Sequence, residues 1–280
     1  MKQNPPPPPV LPIVVVLVLV AAAAAGTEPC GDFGECKALV EINASDGDIG
    51  FHFLMDGDDL TMGRINGPDG AKVFEDQAKG ALKLQGLTET FVESAEPLCW
   101  EDPDADPDDE IVTLEEFVGR WGAGTYTFSG TSTQGEKSEG TTQLTHELPA
   151  APVDLHFDGT VITWSAGDDL GRCGSFVELN ALVATGVLPV HPADVPVVAW
   201  EVVLEPNVED GDPTGKLVFS IRVPGNVAVK QVTVPADYLA SLPNDTAVKI
   251  EVGAIGLDDN ATFSETSGFC VNEVEGCEEE

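Results

Sequence analysis

Basic residues are the scarce charged type in this 280-residue chain. Thirteen Lys and Arg stand against 49 Asp and Glu, a formal net charge of −36 at pH 7. A surface this acidic cannot replace the counterions around phosphates, which excludes nucleic acid as a partner. An anionic membrane surface repels it as well. Solubility is the first use of such an excess, and cation binding requires converging ligands in addition. Histidine is sparse too: His52, His146, His156 and His191 share no motif. There is no G-x-S-x-G elbow, no H-E-x-x-H, and no Gly-rich phosphate cradle between a strand and a helix. No C-x-x-C occurs, and no histidine sits at ligand spacing from a cysteine, which argues against a zinc site built on cysteine.

Long apolar runs are also missing. The principal one, Ile13 to Ala25, would span roughly 20 Å as a helix, short of a bilayer's roughly 30 Å core. Lys2 precedes it, with Pro5 to Pro9 between, and the small residues Ala21 to Gly26 end it. A positive start, a short apolar middle and a small-residue end form the pattern of a cleaved signal peptide. Residues 1–25 are therefore expected to be removed near Ala25, leaving a secreted or periplasmic protein with no stable membrane insertion. All six cysteines (Cys30, Cys36, Cys99, Cys173, Cys270 and Cys277) lie beyond that point. An even number in an exported chain predicts disulfides. Local pairs, Cys30 with Cys36 and Cys270 with Cys277, would pin the ends, but spacing alone leaves the connectivity open.

What is abundant is strand patterning, and the predicted fold class is mainly all-β. Residues 26–148 read as a mostly-β domain. Ile49, Phe51, Phe53 and Met55 share one parity, with a turn expected at Asp56-Gly57-Asp58-Asp59. Leu60 to Ile65, Lys72 to Glu75 and Thr88 to Glu93 read as further short strands. Thr113-Leu114-Glu115-Glu116 is a capping-box pattern that predicts a short helix over 113–121. A hairpin is expected from Gly124–Gly130 and Thr141–His146. A joint rich in proline, Leu148 to Pro152, then separates the halves.

In residues 149–269, seven short strands are expected at Pro152–Leu155, Thr160–Trp164, Val197–Glu205, Lys216–Val223, Val229–Val234, Ala247–Ile255 and Thr262–Phe269. Their spacing predicts a sandwich of two antiparallel sheets. Ala151-Pro152, Ile162-Thr163-Trp164 and the block Leu242 to Ala254 resemble a fibronectin type III domain. The resemblance implies an immunoglobulin-like β-sandwich of the kind used for adhesion, spacing and docking, and nothing about catalysis. Val248 stands where that family usually has a tyrosine. The stretch from Trp164 to Val197, with Cys173 and a short helix expected over Phe176–Val183, is longer than the family's loop. Residues 270–280 form an acidic tail.

One acidic constellation points to calcium. With Asp104 as first ligand, Asp106 and Asp108 follow at alternate positions, and Glu115 falls where an EF-hand's closing bidentate carboxylate belongs. Asp109, however, occupies the position where that loop needs glycine, and Pro97 and Pro103 interrupt an entering helix. Sequons occur at Asn43, Asn244 and Asn260. The sequence thus predicts an exported, non-enzymatic binding, adhesion or spacer protein whose partner is an unknown protein or a surface glycan. The alternatives are a calcium-dependent adhesion or sensor protein, and a secreted hydrolase with dispersed catalytic residues. Convergent His and carboxylate groups in a deep pocket would favour the hydrolase.

Overall fold

Cys36, Ala38, Val40 and Ile42 alternate with Lys37, Leu39, Glu41 and Asn43, and this period of two builds strand β1 (Glu35–Asn43), its first set buried and its second half-buried. The structure, a computed structural model, describes residues 30–103, 110–209 and 211–277. The signal-peptide residues and Asp104, Asp106 and Asp108 lie outside them. Strand β2 (Asp48–Asn66) pairs antiparallel with β1 along its first half. Beyond Gly57 it bends and takes β3 (Lys72–Gln77) and β5 (Gly124–Ser132) as neighbours. The turn expected at Asp56–Asp59 is therefore a kink inside one 19-residue strand, with Asp59 at φ 52°. A short helix α1 (Gly80–Gln85) leads to β4 (Leu87–Glu93), which also pairs with β2.

Helix α2 (Leu114–Arg120) starts at the expected cap, where the Thr113 hydroxyl accepts the Glu116 N–H at 3.3 Å. Its Leu114, Phe117 and Val118 are buried against the sheet. The expected hairpin is β5 with β6 (Lys137–Leu144), and its strands run closer to the bend than the alternation suggested.

The second half is a sandwich. β7 (Pro152–Phe157), β8 (Val161–Ala166) and β11 (Gln231–Thr233) form one sheet, in the order β11–β8–β7. Facing it are β9 (Ala199–Pro206), β10 (Phe219–Pro224), β12 (Thr246–Ile255) and β13 (Ala261–Val271), in the order β10–β9–β12–β13. Ile162, Trp164, Trp200, Val202, Val248 and Ile250 fill the space between the sheets. The two indole rings lie 6.0 Å apart. Helix α3 (Phe176–Thr185) occupies the long stretch after β8, and α4 (Ala236–Leu239) lies between β11 and β12. Among the described residues no helix is long and apolar enough to cross a membrane.

The halves share one sheet. β1 pairs in parallel with β13, matching Glu41 to Ala261, Ile42 to Thr262 and Asn43 to Phe263, so ten strands form one continuous sheet. Asn260, fully buried, locks this seam. Its Oδ1 accepts the Val40 N–H at 2.8 Å, and its Nδ2 donates to the carbonyls of Thr145 at 3.0 Å and Glu147 at 3.2 Å. The sequon at Asn260 is thus inaccessible in the folded chain. A second tie comes from the long stretch after β8, whose Leu170, Cys173, Leu179 and Leu188 are buried in the core of the first half. The disulfides are Cys30–Cys36, Cys99–Cys173 and Cys270–Cys277. The terminal pairs are the expected local ones, and the third bolts that stretch to the loop after β4. Three disulfides fit an oxidising compartment outside the cytosol.

Two predictions test these ties. The Cys99–Cys173 bond closes a 74-residue separation, so replacing both cysteines by alanine should cost about 4 kcal/mol, against about 2 for either terminal pair, in urea unfolding. Asn260→Ala strands a buried N–H and two carbonyls, and the same measurement should show a loss of about 3 kcal/mol or more.

Candidate functional site

Because β1 and β13 are neighbours in one sheet, side chains of the outward parity from both halves meet on its outer face. They line a groove of about 480 Å³ across the seam. From the second half come Glu201 and Val203 on β9, Glu251 on β12 and Phe263 on β13; from the first come Lys37, Leu39 and Glu41 on β1, His52 on β2, and Phe91 and Glu93 on β4. Phe263 lies flat over Gly253, where a Cβ would come within 2.2 Å of its ring.

Carboxylates crowd this face. Glu251 stands directly opposite Glu265 across the β12–β13 pairing. Lys249 holds Glu205 and Glu265, each at 3.2 Å, and Arg222 holds Glu201 at 2.7 Å. Among the described residues no Lys or Arg is within ion-pair distance of Glu41, Glu93, Glu96 or Glu251. Burial, reinforced by the charges of Glu251, Glu96, Glu93 and Glu201, pushes the Glu41 carboxyl up to about 7. Burial likewise raises Glu251 to about 7, with Glu265 the leading like charge and Lys249 opposing. Asp48, at the start of β2, is raised to about 6, chiefly by burial. These shifts are the cost of placing anions together at a half-dry surface.

At the first-half end of the groove three donors converge. Glu41 is paired across the strands with Gly50, and His52 lies one outward position along β2. Glu96 arrives from the loop after β4. His52 is buried, 6 % exposed. Its Nδ1 lies 3.8 Å from Glu41 Oε2, and its Nε2 lies 3.6 Å from Glu96 Oε1. Both distances exceed a hydrogen bond, and Nε2 has no hydrogen-bond partner among the described residues. Burial depresses the imidazole below its ordinary pKa, with Glu93 acting the other way, and raises Glu96. One donor atom from each of Glu41, His52 and Glu96 lies within 4.8 Å of the other two.

His52, which shares no sequence motif with the other histidines, lies in β2 with its Nε2 buried and without a hydrogen-bond partner among the described residues. His146 lies just beyond the end of β6, not in a strand, and its Nε2 is 2.7 Å from the Trp121 carbonyl. Of the sequence-derived calcium ligands only Glu115 is described, and it is exposed in the first turn of α2. Glu41 and His52 could have been linked from sequence by taking Asn43–Asp48 as the turn of a hairpin, which sets Glu41 beside Gly50. Glu96 carried no local signal.

No protein-family model and no curated protein matches the chain. Among solved structures it is similar, with a TM-score of 0.25 and 12 % identity, to a tetra-tandem repeat in the extending region of a large adhesion protein, over 85 % of this chain and 49 % of that one. A biofilm-associated protein's BSP domain is similar at 0.22 and 11 %, over 88 % of this chain and 30 % of that one. Fibronectin(III)-like modules of Clostridium thermocellum CbhA are similar at 0.23 and 10 %, over 89 % and 98 %. The chain thus spans about half or less of the first two.

The raised carboxyls have a consequence for stability. The folded state keeps protons on Glu41 and Glu251 up to about 7, whereas the unfolded chain releases them near 4.5. Folding therefore binds protons in that window, and stability declines as pH rises through it. In low salt the melting temperature should fall between about pH 5 and about pH 8. Glu251→Gln should shrink the fall, as calorimetry at several pH values would show.

Proposed function

We propose that this chain is an exported, non-enzymatic binding module of the adhesion or spacer kind, and that the outer face of its long sheet receives a protein segment rich in Lys and Arg. One observation carries the reading: the groove crosses the seam between the halves and gathers carboxylates from β1, β4, β9 and β12 around apolar Leu39, Phe91 and Phe263. Anionic groups raised in pKa by their own crowding gain most from a cation laid among them. Phe91, 57 % exposed, offers a ring face to a Lys or Arg stem and head. The second half is read here as a fibronectin type III-like sandwich. Its three strands facing four, with Trp164 and Trp200 between, support that reading. The three disulfides support export.

The hydrolase alternative draws support from one observation, the convergence of His52 with Glu41 and Glu96. That cluster lies on an open sheet face, and the groove supplies no enclosed chamber that would exclude water from a reaction.

Fluorescence anisotropy with a labelled Lys/Arg-rich peptide tests the binding reading. Binding should be saturable and weaken roughly tenfold as salt rises from low to physiological strength. Glu201→Gln with Glu251→Gln should weaken it by at least about threefold while a neutral peptide stays unbound. A neutral peptide that binds equally well, or an unaffected double variant, would refute this reading.

A further inference from the structure

We propose that Glu41, His52 and Glu96 form a binding site for a divalent first-row transition ion of the zinc class, held over Gly50 at the end of the groove. Acidic side chains alone would not justify this. The additional observation is His52 Nε2, which is buried, without a hydrogen-bond partner and directed at the Glu96 carboxylate from 3.6 Å. A buried ring nitrogen left unpaired is costly, and a bound cation supplies the missing partner.

The geometry suits such an ion. At zinc's bond lengths of about 2.1 Å, two ligand atoms at a tetrahedral angle stand about 3.4 Å apart, so the separation of Nε2 from Oε1 needs only a few tenths of an ångström of adjustment. Gly50 makes the approach possible. A Cβ there would lie 2.9 Å from Glu96 Oε1 and 3.0 Å from His52 Nε2, between the two donors. Glu41, opposite Gly50 in register, closes the third side. Its side chain and that of Glu96 are 36 % and 37 % exposed, which leaves the ion a path from solvent.

The donor set selects the class of ion. Calcium and magnesium prefer oxygen-only cages of six or more ligands. One imidazole and two carboxylates are a borderline set that favours zinc and its neighbours. Three protein ligands leave one position open for water or for a group carried by a partner. The site stands apart from the basic-partner reading: it uses neither Glu201 nor Glu251, and either property can fail while the other survives.

Isothermal titration of the oxidised full chain with zinc chloride, in a large excess of calcium to cover ordinary carboxylates, tests the proposal. One equivalent should bind saturably. Glu96→Gln and His52→Gln should each weaken the affinity at least tenfold, with Gly50→Ala weakening it by obstruction. Glu96 lies in an exposed loop, so its variant keeps the test decisive even if replacement of buried His52 disturbs folding, which circular dichroism reports. Zinc heat abolished by calcium, or an affinity unchanged in Glu96→Gln, overturns the site.

Discussion

The parallel pairing of β1 with β13 is the constraint on which the rest of this molecule depends. Without it there are two β-rich bodies, each with an open sheet edge; with it there is one sheet of ten strands. Parallel neighbours cannot be joined by a tight turn, and these two lie at nearly opposite ends of the chain, so neither brings the other into place locally. Side chains therefore do the matching. Asn260 turns its amide to both partners at once, its oxygen on Val40 and its nitrogen on the segment after β6. Ser45 continues the seam, its hydroxyl donating to the Glu265 carbonyl at 3.1 Å and accepting the Glu265 N–H at 2.8 Å. Slipping β1 by one residue would break all of these bonds and turn Val40 and Ile42 outward.

The second tie works through a different physics. The stretch between β8 and β9 buries Leu170, Leu179 and Leu188 in the core of the first half, and Cys173 reaches back to Cys99. Around that bond the Arg172 guanidinium lies 4.6 Å from the Trp100 ring centroid, while Trp100 Nε1 donates to the Asp46 carbonyl at 3.1 Å. What looked in sequence like an oversized loop in a fibronectin-like sandwich is the element that docks the sandwich onto its neighbour. Hydrogen bonding specifies the seam, and apolar burial with a covalent bond closes it from the side.

Legibility in the sequence followed the range of the forces involved. Alternation is local, so the parity of Ile49, Phe51, Phe53 and Met55, the cap at Thr113, and the strands carrying Trp164 and Trp200 were all readable. The kink at Asp59 was misread as a turn because an Asp-Gly cluster signals a chain reversal equally well when the strand merely bends and carries on. The β1–β13 pairing left no trace in either strand, since nothing in Val40 or Asn260 alone announces a partner more than two hundred residues away. The cluster of Glu41, His52 and Glu96 was illegible for the same reason. Calcium-loop logic searches for ligands at fixed spacing along the chain, and it found Asp104 to Glu115. Glu41, His52 and Glu96 converge across strands, where spacing carries no information.

The two faces of the long sheet obey different rules. On the inner face most local preferences agree with the fold: β-branched and aromatic residues alternate inward and pack without charge. Thr262 Oγ1 on that face and Trp164 Nε1 on the sheet opposite are nonetheless buried without a hydrogen-bond partner among the described residues. On the outer face the preferences conflict. Glu251 faces Glu265, a like-charge pair that destabilises a sheet. Glu41 is pressed among four other acids, and His52 is buried with a bare nitrogen. Threonine or valine at these positions would give a more stable sheet. Electrostatic conflicts of this kind gather along the groove, and they are what the proposed binding of a cation there would relieve. A cation, whether an ion over Gly50 or a basic side chain beside Glu251, turns each of those conflicts into an attraction.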